Sequence, residues 1–195
     1  MWEVKFIKLL EAMINRRSIN TFKNKSIETQ VLKEIFAYAS WAPTHYMKEP
    51  WEIKLYQGHG KVTLINKIIK SYQRLEMLST DNDAKSVKSI KDFLFQIPHH
   101  AVIYFEKEKD PIKYEEDYAS VCAFIQNAQL AAWDKNIGML WTITPFMHDP
   151  EFSHDINIDP NIYKIAAVMQ IGYPSKIPDA KSRIPIEDKI KLIEK

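Results

Sequence analysis

Tyr118-Ala119-Ser120-Val121-Cys122-Ala123-Phe124-Ile125-Gln126-Asn127-Ala128-Gln129-Leu130-Ala131-Ala132-Trp133 is the stretch on which the fold turns. It holds apolar residues at most positions, no charge, and only Gln126, Asn127 and Gln129 as conspicuous polar exceptions. The pattern predicts a helix from about 115 to 136 that is apolar all round, and such a helix is buried on all sides. In a chain of 195 residues two arrangements achieve that: the helix is central and wrapped by its own chain, or a second copy covers one flank. Two-fold homodimers are the commonest oligomers, and the homodimer is the favoured expectation.

Outward from this helix the pattern alternates. Gly138 reads as its C-cap, and Met139-Leu140-Trp141-Thr142-Ile143-Thr144 as a strand running up to Pro145. A polar loop with His148-Asp149-Pro150 and His154-Asp155 precedes the clearest strand, Ile165 to Ile171. Upstream, Ala101 to Phe105 is a continuous β-branched and aromatic run, a buried strand. Trp51, Ile53 and Leu55 alternate with polar neighbours as another strand. Helical spacing marks residues 3–15, a segment capped by Ser26 whose stripe is Val31, Leu32, Ile35, Phe36 and Ala39, and residues 61–75. Pro43 is read as the stop of the second helix, and Gly58-His59-Gly60 as a turn. A polar interval at 80–83 and a Lys-rich helix to about Gln96 read as an excursion over the core. The final residues, 186–195, form either a short helix or an exchanged arm. Strands and helices mix without regular β-α-β alternation, so the expected class is α+β, one domain over residues 1–195.

Composition excludes several functions. Lys+Arg 27 against Asp+Glu 25 gives a net charge of +2, too little to call for nucleic acid or a membrane surface. One cysteine, Cys122, excludes an intrachain disulfide and a thiolate zinc cluster. No signal peptide or membrane span is read, and the expected location is cytoplasmic. The four glycines are too few and too dispersed for G-x-G-x-x-G, a Walker loop or G-x-S-x-G. His99 and His100 are adjacent and point to opposite faces of a strand. His148, Asp149, His154 and Asp155 read as solvated loop residues, so no metal site is expected. Cys122 reads as packing rather than as a nucleophile.

Two basic clusters remain. Arg16-Arg17-Ser18-Ile19-Asn20 follows the first helix, where cations also serve simply to offset the helix dipole. Lys181-Ser182-Arg183 follows the last strand, fixed between prolines. Each pairs two cations with a hydroxyl, the donor set for a phosphate. Between them Trp41-Ala42-Pro43-Thr44-His45-Tyr46-Met47-Lys48-Glu49-Pro50-Trp51, bracketed by prolines and tryptophans, is a stiff loop with flat apolar surfaces. A phosphate grip with a flat pocket suits a phosphorylated aromatic cofactor.

Here the sequence resembles the nitroreductase family. The resemblance is carried by Arg16-Arg17-Ser18, Ala42-Pro43-Thr44-His45 with Glu49-Pro50-Trp51, Asp117-Tyr118-Ala119, Ile125-Gln126-Asn127, Leu130-Ala131-Ala132-Trp133, Ile137-Gly138, Trp141, Ile171-Gly172-Tyr173-Pro174 and Lys181-Ser182-Arg183, in order along nearly the whole chain. It implies an entwined α+β homodimer whose mixed, largely antiparallel sheet is flanked by helices, with FMN at the interface. It further implies hydride transfer from NADH or NADPH through flavin N5 to nitroaromatic, quinone or similar acceptors in a ping-pong cycle. Arg16, Arg17 and Ser18 would hold the phosphate and ribityl chain from one end, and Lys181 and Arg183 from the other. Pro43, Thr44 and His45 would come from the second subunit, and Trp141, Thr142, Ile143 and Thr144 would pass the flavin edge. Trp41, His45 and Tyr46 would shape the acceptor pocket, with Trp41 as plain core the alternative. Asn20 stands where many relatives carry a further cation, and Met47 and Glu49 where many carry Asn and Gln. The competing classes are a flavin-binding sensor without turnover and an interaction protein on the same fold.

Overall fold

The computed structural model describes residues 2–78 and 83–194. Its helices are α1 (Trp2–Asn15), α2 (Thr29–Ala39), α3 (Gly58–Arg74), α4 (Asp83–Gln96), α5 (Pro111–Asp134) and α6 (Pro150–Asp155). Strands β1 (Glu52–Tyr56), β2 (His99–Glu106), β3 (Gly138–Thr142) and β4 (Tyr163–Gly172) form a four-stranded sheet in the order β1-β2-β4-β3. Every neighbouring pair is antiparallel. The parallel component is an isolated bridge between Ser18 and Met139, where the segment after α1 lies along the free edge of β3.

The sheet separates two cores. Ala101, Ile103 and Phe105 of β2 pack with Leu32, Ile35 and Phe36 of α2 and with Val121, Phe124 and Ile125 of α5. Val102, with Ile165 and Val168 of β4, packs instead with Leu64, Ile65 and Ile68 of α3, Leu94 of α4 and Phe152 of α6. This alternation is the period-2 geometry of a strand buried on both faces. It also divides the histidine pair. His99 Nε2 accepts from the backbone N–H of Ile27 at 2.8 Å, while His100 Nε2 lies 3.3 Å from the carbonyl of Leu94. Both are core residues. Burial, only partly offset by the Leu94 contact, pulls His100 down from 6.5 to about 4.

Helix α5 is only half enclosed by its own chain. Ser120, Val121, Phe124, Ile125, Ala128, Gln129 and Ala132 are buried, whereas Tyr118, Cys122, Ala123, Asn127, Leu130, Ala131 and Trp133 are intermediate. Helix α1 lies against α5 and leaves Leu9, Leu10, Met13 and Ile14 exposed. The central, fully wrapped arrangement is therefore not what a single chain builds.

Several local expectations are corrected. Helix α2 begins at Thr29 with Glu28 as its N-cap, because Ser26 faces His99 instead. It ends at Ala39, before Pro43 acts, with the Ser40 hydroxyl donating to the Ala37 carbonyl. Gly58-His59-Gly60 is the first turn of α3, not a free turn. The strand expected to reach Thr144 ends at Thr142. The loop expected at 148–155 holds the turn Pro145–His148 and α6; Asp149 is buried and paired with Arg74. Of the polar interval at 80–83, only Asp83 lies within the described residues, where it opens α4; Leu94 anchors that helix in the second core. Residues 186–188 form one 3-10 turn, and Ile186, Ile190, Leu192 and Ile193 are exposed.

Gly138 does not cap α5. The C-cap is Lys135, and Asn136 takes the left-handed conformation at φ 57. Gly138 opens β3 beneath Ile19, whose Cγ1 lies 2.5 Å from where a Cβ would sit. Gly138→Ala should therefore lower the unfolding free energy by about 1–3 kcal/mol, as overpacking does, and urea denaturation reads the loss directly. His100 generates a second expectation. Its folded pKa lies below its unfolded one, so between pH 6.5 and about 4 the unfolded chain takes up a proton that the folded chain refuses. Stability falls as pH falls through that window, and His100→Gln should flatten its pH dependence there.

Candidate functional site

The end of α1 and the tail after β4 converge. Arg16 is half-buried, and its Nη1 donates to Gln129 Oε1 of α5 at 3.1 Å. Burial, then the charges of Arg183 and Arg17, pull its guanidinium below the ordinary value. Arg183, 167 positions downstream by numbering (183 − 16), is thus an electrostatic neighbour of Arg16. Among the described residues none of Arg16, Arg17, Lys181 and Arg183 forms an ion pair. Gathering like charges without a counter-charge costs free energy unless an anion joins them. Arg17 partly does what a helix end asks of a cation: its Nη1 donates to the carbonyls of Ile14 and Arg16 at 2.8 and 2.9 Å. Ser18, Asn20, Lys181 and Ser182 are exposed.

Strand β3 runs beside this cluster. The backbone N–H of Ile19 donates to the Met139 carbonyl at 3.2 Å, and Ser18 bridges to Met139. Farther along, Trp141 packs on the first core but leaves its buried indole Nε1 without a hydrogen-bond partner among the described residues. The Thr142 hydroxyl donates to the Val168 carbonyl at 2.6 Å and is spent there. Ile143 is exposed, and Thr144 Oγ1 is buried without a hydrogen-bond partner among the described residues. Ile143, Thr144 and Pro145 form one wall of a cleft of about 510 Å³; Leu75, Met77 and His148 also line it. These last three were not singled out from the sequence as pocket residues, since nothing local says that the end of α3 faces the end of β3.

The stiff loop lies elsewhere in the same chain. His45 Nδ1 pairs with Glu116 at 2.7 Å, and Lys48 Nζ with Asp117 at 2.6 Å and with Glu108. The Lys48 ammonium is held above its ordinary value because the hydrogen bonds and charges of Asp117 and Glu108 outweigh its desolvation. Tyr46, Met47 and Glu49 all adopt positive φ, of 49, 56 and 48, strain that must be compensated elsewhere in the structure. The Thr44 hydroxyl accepts from the Glu49 backbone N–H at 2.9 Å. Lys48 is committed to Asp117 and Glu108, and no ion pair to Glu49 occurs among the described residues. Tyr46 stacks on His45 at 4.3 Å and is 93% exposed; Trp41 is 86% exposed, so it is not core.

Helix α5 measures the separation. Its Glu116 and Asp117 hold the loop and its Gln129 holds Arg16, twelve or thirteen residues on. At 1.5 Å per residue this is roughly 18–20 Å along the axis. One chain therefore brings together Arg16, Arg17 and Arg183, but not Thr44, His45 or Tyr46 with them. Among the described residues no group of His, Cys, Asp and Glu could hold a metal ion, and no helix is long and apolar enough to cross a membrane.

Comparison with known proteins gives the family and the fold. A model described as the Nitroreductase family matches residues 13–173. The chain is 30% identical over 182 residues to "Putative NAD(P)H nitroreductase YfhC" of Bacillus subtilis (strain 168), covering 93% of this chain and 92% of that protein. It superposes on the crystal structure of a nitroreductase-like family protein from Bacillus cereus with a TM-score of 0.88 at 34% identity, covering 96% of each chain. The FMN and NADPH-dependent nitroreductase NfnB from sphigopyxis sp. strain HMH shares the fold at a TM-score of 0.73 and 14% identity, covering 95% of this chain and 98% of that one.

Proposed function

Because this chain belongs to the nitroreductase family, we propose that it is an FMN-dependent oxidoreductase that takes hydride from NADH or NADPH and reduces nitroaromatic, quinone or similar acceptors by a ping-pong cycle. The observation that carries the reading is the meeting of Arg16, Arg17 and Arg183 with no carboxylate paired to them among the described residues. Cations drawn from both ends of a chain, one of them half-buried, fit a bound phosphate.

The donor set fits the rest of FMN as well. Arg16, Arg17, Ser18, Lys181 and Arg183 would hold the phosphate and ribityl chain. The orphaned Trp141 Nε1 and Thr144 Oγ1, with the backbone of Ile143, are available to polar atoms of the ring. The hydroxyl of Thr142 is already used, which leaves its backbone. Asn20 would reach the pyrimidine side as a neutral hydrogen-bonding group. Bound FMN supplies the hydride chemistry, and the protein orients it and excludes water.

We further propose that the unit is a homodimer, each chain a single domain, working in the cytoplasm. The half-covered flank of α5 and the exposed apolar residues of α1 ask for a second copy. If two copies of α5 pack antiparallel about a two-fold axis, the Glu116 end of one lies by the Gln129 end of the other. Loop residues Trp41, Pro43, Thr44, His45 and Tyr46 then reach the cofactor and acceptor site across the interface.

Arg183 is exposed and outside both cores, so Arg183→Ala tests the cofactor without endangering the fold. Loss of one charged hydrogen bond, about 1.5–3 kcal/mol, should raise the FMN dissociation constant about tenfold to a hundredfold. Titration of flavin fluorescence reads it. An unchanged constant removes Arg183 from the site.

A further inference from the structure

Both walls of the cleft beside Ile143 and Thr144 end in residues that a single guanidinium ties together. On one side α3 finishes at Arg74, and the chain folds back: the Leu75 N–H donates to Ser71 O at 2.9 Å, Glu76 takes φ 53, and the Met77 N–H donates to Tyr72 O at 3.0 Å. This turn presents Leu75 and Met77 to the cleft. On the other side, Pro145–His148 leads through Asp149 into α6.

Arg74 spans the two. Its Nε and Nη2 donate to Asp149 Oδ2 at 3.1 and 2.6 Å, and its Nη1 donates to Asp155 Oδ2 at 3.2 Å. Asp149, 6% exposed, also accepts from the fully buried hydroxyl of Ser71, and its Oδ1 caps α6 by accepting from the Glu151 N–H at 3.0 Å. Asp155 additionally pairs with Lys67 and Lys70. Tyr72 and Phe152 each meet Phe146 edge-on in the same seam. These side-chain hydrogen bonds outweigh desolvation and hold the Asp149 carboxyl below its ordinary range.

A buried ion pair is a poor source of net stability but an exacting geometric constraint, since only one arrangement satisfies both charges. The fork of an arginine onto two carboxylates cannot be copied by the point charge of a lysine. We propose that Arg74 is a positioning residue: through Asp149 and Asp155 it fixes the spacing between the Leu75–Met77 wall and the Ile143–Pro145 wall, and thereby the fit of the flavin ring and the acceptor. This inference rests on the functional reading given above. His148, adjacent to Asp149 and lining the cleft, is placed by the same contact.

The test uses the full chain with and without FMN. Arg74→Met alone would leave Asp149 buried and unpaired, so it is combined with Asp149→Asn, which removes that charge and retains an N-cap residue for α6. The double variant should unfold at a urea midpoint close to wild type. Its FMN dissociation constant should rise about tenfold, and kcat/KM for a nitroaromatic acceptor should fall by up to about a hundredfold, as expected from a displacement near 1 Å. Arg74→Lys, which keeps the charge and loses the fork, should fall between. A double variant with wild-type FMN affinity and kcat/KM overturns the inference, as does a loss of both that merely follows a lowered urea midpoint. A wild-type protein that neither binds FMN nor turns over overturns the functional reading first.

Discussion

The contact of Ile19 with Gly138 is the constraint on which the rest of the site depends. Ile19 is fully buried and fills the space that any larger residue at 138 would occupy. Together with the Ile19–Met139 hydrogen bond and the Ser18 bridge, it presses the segment after α1 onto the free edge of β3. Two segments more than a hundred residues apart are thereby joined. One carries the cations Arg16 and Arg17, and the other runs toward the unpartnered groups of Trp141 and Thr144. A second close approach, Phe22 against Gly172, seats the same segment beside the end of β4, from which the chain continues toward Lys181 and Arg183. Glycine at these positions makes room for a neighbouring side chain rather than for a left-handed turn.

Helix α5 supplies the second constraint. Its buried face builds the core, Gln129 holds Arg16 at one end, and Glu116 and Asp117 hold the strained loop toward the other. The loop is held firmly yet presents Trp41, Tyr46 and Met47 to solvent. Exposed aromatic residues on a strained, salt-bridged loop cost stability in the isolated chain and suit a surface meant for another molecule. That separation along one rigid helix is why the proposed flavin site calls on a two-fold partner to bring the loop to the cations.

Periodic signals were legible in the sequence, and contact-dependent ones were not. The stripes of α2 and α3, the alternation of β1 and the apolar runs of β2 and β4 record burial directly, so those elements stand where the pattern places them. The cation clusters stand out in the sequence by charge and hydroxyl spacing, but only the folded chain shows that Arg183 lies near enough to Arg16 to act on it. Gly138 was misread as a cap because a helix stop and a close approach leave the same letter. Ser26 was misread because its preference for capping loses to His99, 73 positions away. Asp149 looked solvated because Ser71 and Arg74, its partners, lie on α3 far upstream. Gln129 was visible only as a polar exception in an apolar helix; its role appears once Arg16 is seen to use it.

Every role proposed for the site requires that the folded chain carry a working flavin. The most direct measurement is the visible absorption spectrum of the purified protein, before and after anaerobic addition of NADH or NADPH, then of a nitroaromatic or quinone acceptor. The predicted result is a set of flavin bands that bleach with the nicotinamide donor and return with the acceptor. A flavin spectrum that no donor bleaches would reduce the protein to a carrier or sensor of FMN. A colourless protein that refuses added FMN would contradict the cofactor, and with it the whole site.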